Sequence, residues 1–381
     1  MSRPLSILHV ITSTQVGGAE TQLAQLVAAT AGGGLRHFVV GLSAPGPRAA
    51  AMMAAGAQVV SLGLHPGPAA VVKGLPPLVR LMRQVRPHVV QTWLYHADLL
   101  GLLAARVAQA GPVVWGVRCS DMDLARYRLA TRLVVRSCAA LSGQPAAIVT
   151  NSHAGAQLHV RLGYPAHKLR VIPNGYDTQH FRPDPQAREE VRGHLKLAPR
   201  ELLVGHAARF DPMKDHATFL AAAARLAQRL PTAHFLCLGL GVEPSNPALR
   251  AAILPPLAGR VHLLGRREDA ARWLAALDVH VSSSAFGEGL SNAVGEAMAC
   301  GVPNVVTRVG DSAELVGETG RSVPPRSPEA LAAALEELLS LPAASRLELG
   351  QAARRRIEEH YSLAAMASAY LGLYGSLAGK R

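Results

Sequence analysis

Residues 202–220 read Leu-Leu-Val-Gly-His-Ala-Ala-Arg-Phe-Asp-Pro-Met-Lys-Asp-His-Ala-Thr-Phe-Leu. A short apolar run leads into a proline turn and then a helix, the repeating unit of a parallel sheet. The same unit recurs on both sides. Strands are expected at 5–11, 36–42, 57–61, 88–92, 113–117 and 147–150, with helices at 18–30, 76–85, 97–109, 124–141 and 153–161. The series restarts at 202–207, with further strands near 233–239, 261–264, 278–282 and 303–307. Such alternation implies parallel sheets with right-handed crossovers. Two series imply an α/β chain of two Rossmann-like domains facing each other. At 381 residues the chain is also too long for one ordinary core. Pro173, Gly175, Pro183 and Pro185 cluster where the first series ends. The expected domains are therefore 1–172 and 173–359, the second closed by helices at 328–339 and 343–359.

Ligands of open parallel sheets bind at the carboxyl ends of strands. Arg209 ends the strand of the opening segment and Lys214 opens its helix. One offers a planar fork and the other a point charge, a pair able to clamp a diphosphate. Taken alone, surface Arg and Lys are commonplace. The second informative stretch is Phe286-Gly-Glu-Gly-Leu-Ser-Asn-Ala-Val-Gly-Glu-Ala-Met-Ala-Cys300. Leu290, Ala293, Val294, Ala297 and Met298 recur at helical spacing and mark one buried face. Asn292, Gly295 and Glu296 fall on the other side, which Gly295 leaves bare for close approach to the backbone. The helix start suits a phosphate, and backbone N–H groups around Gly289, Leu290, Ser291 and Asn292 add donors. Glu288 and Glu296 suit hydroxyls. An anion with hydroxyls describes a nucleotide-sugar, whereas an amphipathic helix with two solvated glutamates is the plain alternative. Eight residues would separate the carboxylates by about 12 Å in a continuous helix, too far for a side-by-side acid/base dyad.

Together these segments resemble the retaining glycosyltransferases of family 4, which have the GT-B fold, over nearly the whole chain. The resemblance rests on Gly17-Gly18-Ala19-Glu20, Val171-Ile172-Pro173-Asn174-Gly175-Tyr176-Asp177, Arg209 with Lys214, and Glu288 with Glu296. Gly301-Val302-Pro303 and Gly310-Asp311-Ser312-Ala313-Glu314-Leu315 add to it. Members often carry Glu-Gly-Phe-Gly at the first glutamate. This chain has Glu288-Gly289-Leu290-Ser291, a variant common among polysaccharide-assembly members. The resemblance implies a deep cleft between the domains and a last helix, within about 360–381, returning to the first domain. It implies that Glu296 accepts from ribose hydroxyls, and that Glu288 holds the donor sugar and the developing cationic centre. It also implies that His96 faces donor sugar or acceptor. Arg209 and Lys214 would neutralise the leaving diphosphate, and the bare backbone of Gly17 and Gly18 would approach it, although a plain glycine turn reads the same way.

Other features bound the function. Hydrophobic residues make up 49% of the chain and charged ones 17%, which is globular rather than disordered. Aromatics are only 4%, too few for base-stacking platforms, so no nucleic-acid partner is expected. Cys119, Cys138, Cys237 and Cys300 are scattered, which suits reduced thiols in a cytoplasm. The apolar run at 5–11 is short, contains His9 and reads as a first strand rather than a leader. His206 and His216 lack metal-ligand spacing and read as packed or solvated. Asp121-Met122-Asp123 is an Asp-x-Asp in the basic half, far from Arg209 in sequence. It reads as helix capping or acceptor contact, so no metal and no other cofactor is expected.

The charge of +13 is uneven. Residues 1–172 hold 16 Lys or Arg against 4 Asp or Glu, a balance of +12; residues 173–381 hold 23 against 22. The first half should meet something anionic. Arg118 precedes, and Arg128, Arg132 and Arg136 stripe, the helix expected at 124–141. Tyr127, Leu129, Leu133, Val134 and Val135 supply its apolar surface. The expected enzyme transfers a sugar from a nucleotide-sugar donor to a glycan or polyprenyl-diphosphate-linked acceptor, in lipopolysaccharide or exopolysaccharide assembly. It would lie in the cytoplasm, with the anionic inner face of the plasma membrane as the surface the basic half would meet. The alternatives are a nucleotide-sugar epimerase or phosphorylase of the same shape and, in another class, a non-catalytic anion- or nucleic-acid-binding protein.

Overall fold

The computed structural model describes residues 4–65, 69–121 and 128–379. The chain divides into two units, Met1–Gly175 with Leu363–Arg381, and Tyr176–Ser362. The crossings at 175/176 and 362/363 each fall three residues beyond the sequence boundaries at 172/173 and 359/360.

The first unit runs β1 (Leu5–Ile11), α1 (Gly18–Ala29), β2 (Leu35–Gly41), α2 (Pro47–Ala54), β3 (Gln58–Ser61), α3 (Ala69–Val85) and β4 (Val89–Trp93). It continues with α4 (Tyr95–Ala108), β5 (Val113–Val117), α5 (Leu129–Leu141), β6 (Ala147–Thr150), α6 (His153–Arg161) and β7 (Leu169–Val171). The second runs α7 (Pro185–His194), β8 (Leu202–Ala207), α8 (His216–Arg229), β9 (Ala233–Leu238), α9 (Pro247–Ala252), β10 (Val261–Leu263) and α10 (Ala270–Ala275). After these come β11 (Val279–Ser282), α11 (Asn292–Ala299), β12 (Asn304–Thr307), α12 (Ser312–Val316), β13 (Gly320–Val323), α13 (Pro328–Ser340) and α14 (Ala343–His360). The final helix, α15 (Leu363–Ala378), belongs to the first unit.

Every strand pairing is parallel, in the orders β3-β2-β1-β4-β5-β6-β7 and β10-β9-β8-β11-β12-β13. The central strands are buried on both faces, so β5 reads as a continuous apolar run, Val-Val-Trp-Gly-Val, and in β4, Val-Val-Gln-Thr-Trp, even the polar Gln91 and Thr92 are enclosed. In each sheet the order reverses beside the first strand of the series, at β1/β4 and at β8/β11. A parallel sheet opens a ligand crevice at such a switch point. The loop of Gly17 and Gly18 follows β1 and that of His96 follows β4; the turn of Arg209 and Lys214 follows β8 and the Glu288 loop follows β11. The α15 side chains Met366, Tyr370 and Tyr374 are buried with Ile7, Leu23 and Trp93, so this helix completes the first unit's core.

Several elements depart from the sequence pattern. The stretch around Pro183 and Pro185 is not all connector, because Asp184 accepts from Ala187 N–H and starts α7 with Pro185 in its first turn. α3 begins at Ala69 rather than at Pro76 and passes through Pro76 and Pro77. β7 and β13 are short edge strands containing Arg170 and Arg321, too polar to stand out.

Candidate active site

The second unit builds its site from the loops after β8 and β11. Asp211 caps the turn at Met213 N–H, and Asp215, at φ 47°, caps α8 at Thr218 N–H. Lys214 therefore lies in a 3-10 turn just before the helix, not at its opening, and points toward the neighbouring loop. That loop is tied down. Ala285 N–H donates to the Met213 carbonyl at 2.8 Å. His206 Nε2–H donates to Ser283 Oγ at 2.9 Å, and the Ser283 proton is shared between the Lys214 and Asp215 carbonyls. Thr307 Oγ1 donates to the Ser284 carbonyl at 2.6 Å. Gly310, at φ 58°, passes so close to the Glu288 and Gly289 carbonyls that a Cβ would collide with them.

This framework brings Lys214 Nζ onto Glu288 Oε2, with only 14% and 11% of the two side chains exposed. Ser284 Oγ donates to the same carboxylate oxygen at 3.1 Å. Arg209 differs. Its side chain is 54% exposed and its guanidinium pairs with Asp211 at 3.2 Å. The sequence treated Arg209 and Lys214 as an equal clamp; the structure gives one a surface carboxylate and the other an enclosed one.

Helix α11 starts at Asn292, so half of the interval between the glutamates is loop and the 12 Å figure does not apply. Ser291, its N-cap, provides no side-chain cap. Leu290, Val294, Ala297 and Met298 are buried as expected, and Glu296 is partly exposed. The bare side at Gly295 is filled from within. The Tyr176 ring lies against it, so that a Cβ on Gly295 would fall inside the ring, and Tyr176 Oη donates to the Ser291 carbonyl at 3.1 Å. His206 and His216 are buried, not solvated, with burial pushing His216 down to about 4 and His206 well below its usual value.

In the first unit, Glu20 folds back over Gly17 and accepts from Ser13 Oγ at 2.9 Å. The start of α1 thus already faces a carboxylate beside Gly17 and Gly18. His96 is exposed in the first turn of α4, two residues after Leu94, whose φ of 72° marks a strained connection. Asp98, which the sequence reading passed over, is fully buried. It accepts from Thr92 Oγ1 and from Gly116 N–H at 3.2 Å, tying β4, β5 and α4 together. Burial raises its pKa to about 8. Arg118 does not join the basic stripe. Its fork donates to Asn174 Oδ1 at 2.8 Å and Tyr370 Oη at 3.0 Å, over the Trp93 ring. Arg128 is the N-cap of α5, with Arg132 and Arg136 one and two turns on. Leu129 and Leu133 beside them are 70% and 54% exposed, while Val135 is buried. Asp123 and Tyr127 lie outside the described residues. Among the described residues no helix is long and apolar enough to cross a membrane, and no three His, Cys, Asp or Glu side chains are grouped to hold a metal.

Two family models match. That described as Glycosyltransferase Family 4 covers residues 16–180, and that described as Glycosyl transferases group 1 covers residues 201–341. Each half of the chain thus matches a family of glycosyltransferases. The chain is 29% identical over 361 residues to the GDP-mannose-dependent alpha-(1-6)-phosphatidylinositol monomannoside mannosyltransferase of Mycobacterium tuberculosis (strain CDC 1551 / Oshkosh), across 89% of each chain. It is 27% identical to EpsF of Bacillus subtilis (strain 168) over 214 residues, 55% of this chain and 53% of that relative's length. Its fold is GT-B, like that of Anabaena HepE solved with UDP and glucose. The two share 23% identity, with a TM-score of 0.83 over 98% of this chain and 100% of HepE.

Proposed function

We propose that the protein is a retaining, metal-independent hexosyltransferase that moves a sugar from a nucleotide-sugar to a lipid-linked or glycan acceptor of the cell envelope. The observation that carries this reading is the convergence of Lys214, Ser284 and Glu288 on two loops at the β8/β11 switch point, with Arg209 beside them. Cations belong where charge builds on a leaving diphosphate, and a carboxylate belongs where hydroxyls and a developing oxocarbenium must be held. In this reading Lys214 and Arg209 neutralise the diphosphate, and Gly289–Asn292 add backbone donors. Glu296 accepts from the ribose, Glu288 holds the sugar, and His96 in the first unit serves donor sugar or acceptor. The mannosyltransferase and HepE relatives support a nucleotide-sugar as donor. The exposed Leu129 and Leu133 beside Arg128, Arg132 and Arg136 support contact with an anionic membrane surface.

The test is incubation of the purified protein with UDP-, GDP- and ADP-sugars and candidate lipid-linked acceptors, with products read by mass spectrometry and NMR. A new glycosidic bond of unchanged anomeric configuration, formed equally in EDTA, is expected. Conversion of the donor without an acceptor would indicate an epimerase instead. An inverted product would remove the retaining assignment, and activity lost in EDTA and restored by manganese would remove metal independence.

A further inference from the structure

We infer that the donor takes the Lys214–Glu288 pair apart, and that Ser284 is the positioning residue that keeps Glu288 in place when it does. The inference rests on the donor-binding reading above. Both side chains of the pair are largely enclosed. Separating enclosed opposite charges is costly unless each finds a replacement. A nucleoside diphosphate supplies one replacement, because its phosphates are anions and Lys214 is a cation at the mouth of the same two loops. It supplies none for Glu288. Only the sugar does, through hydroxyls that donate to the carboxylate.

The pair therefore orders recognition in two steps. Phosphate first competes with Glu288 for Lys214, and the carboxylate is then released to the sugar. A nucleotide lacking its sugar breaks the ion pair without compensating Glu288, so the bare nucleotide is penalised relative to the intact donor. Through the exchange Ser284 Oγ, 3.1 Å from the carboxylate oxygen that also meets Lys214, keeps its hydrogen bond. The Ser284 carbonyl is itself held by Thr307 Oγ1, so the serine does not follow the lysine.

The experiment is calorimetry with UDP, GDP and ADP, each alone, on wild type, Glu288→Gln, Ser284→Ala and Ser284→Thr, together with kcat and KM for the intact donor. Glu288→Gln keeps the shape and removes the competing charge. It should bind the preferred nucleotide about tenfold more tightly, the step that about 1.4 kcal/mol represents, while kcat falls. Ser284→Ala should bind the bare nucleotide as wild type does but lose kcat about tenfold, and Ser284→Thr, which keeps the hydroxyl, should recover most of it. Thermal midpoints within a few degrees of wild type check that all fold. If wild type binds one nucleotide and Glu288→Gln binds it no better, the exchange is overturned while donor binding stands. If Ser284→Ala weakens nucleotide binding and kcat alike, or Ser284→Thr fails to rescue, the positioning role is overturned. If wild type binds none of the three, the donor-binding reading falls and the inference with it.

Discussion

Lys214 and Arg209 are chemically similar but differently placed. Removing a preorganised donor to a developing charge costs about 3–4 kcal/mol. Lys214→Ala should lower kcat roughly 100-fold or more by steady-state kinetics. Arg209→Ala should cost clearly less, because Arg209 is half exposed and already has a partner in Asp211. Equal losses would mean that Arg209 leaves Asp211 on binding. Gly295 makes a different kind of prediction. Its Cβ position is occupied by the Tyr176 ring, so Gly295→Ala should cost about 1–3 kcal/mol of stability by overpacking. In a Tyr176→Val background the added cost should shrink, a coupling that a double-mutant cycle with denaturant unfolding measures. The glutamates were legible in the sequence because carboxylates around a glycine-rich helix start are chemically conspicuous. Ser284 and Tyr176 were not. A serine among Ser282, Ser283 and Ser284 carries no signal of which one meets Glu288, and Tyr176 lies more than a hundred residues from the helix it fills.

At the scale of elements, period and turn chemistry located the long helices and central strands. They did not pick out α7, β7 and β13. Asp184-Pro185 is a helix start but sits among turn residues, and β7 and β13 hold their edges through sheet pairing rather than apolar sequence. Helix α5 shows the same limit. The sequence indicated an arginine stripe over 124–141, yet the described helix starts at Leu129 and Arg128 caps it. The stripe survives with two exposed leucines beside it. Basic residues at an anionic bilayer contribute about 1 kcal/mol each, so three would shift binding roughly 100-fold. Wild type should co-sediment with vesicles containing anionic lipid at low salt and be released at high salt. An Arg128/Arg132/Arg136→Glu triple variant should stay in the supernatant while still binding nucleotide. A wild type that ignores the vesicles at low salt would point to a soluble acceptor.

Across the whole molecule, buried histidines set the response to acid. Burial holds His37, His159, His216 and His280 at about 4, and His9 and His206 well below 6.5. Unfolding lets each take a proton at its ordinary pKa of about 6.5. Between pH 6.5 and 4 the unfolded chain binds more protons, so this stability is full above 6.5 and is lost as pH falls through the window. Asp98 acts with the opposite sign, since the fold keeps its proton up to about pH 8, but it is one group against six. The urea midpoint should therefore fall from pH 7 to pH 4.5, and a flat profile would show that these histidines charge without unfolding. The legibility of the architecture had the same global source, because two strand–helix series separated by a proline cluster leave little room for one core. What the series did not reveal is how firmly α15 is written into the first unit. Met366, Tyr370 and Tyr374 contribute about 1.5–3 kcal/mol each when buried, comparable together with the whole margin of a domain. On the ribosome, residues 176–362 are made before that helix exists. The first unit must therefore wait, its apolar floor uncovered, while the later-made unit is free to fold ahead of it.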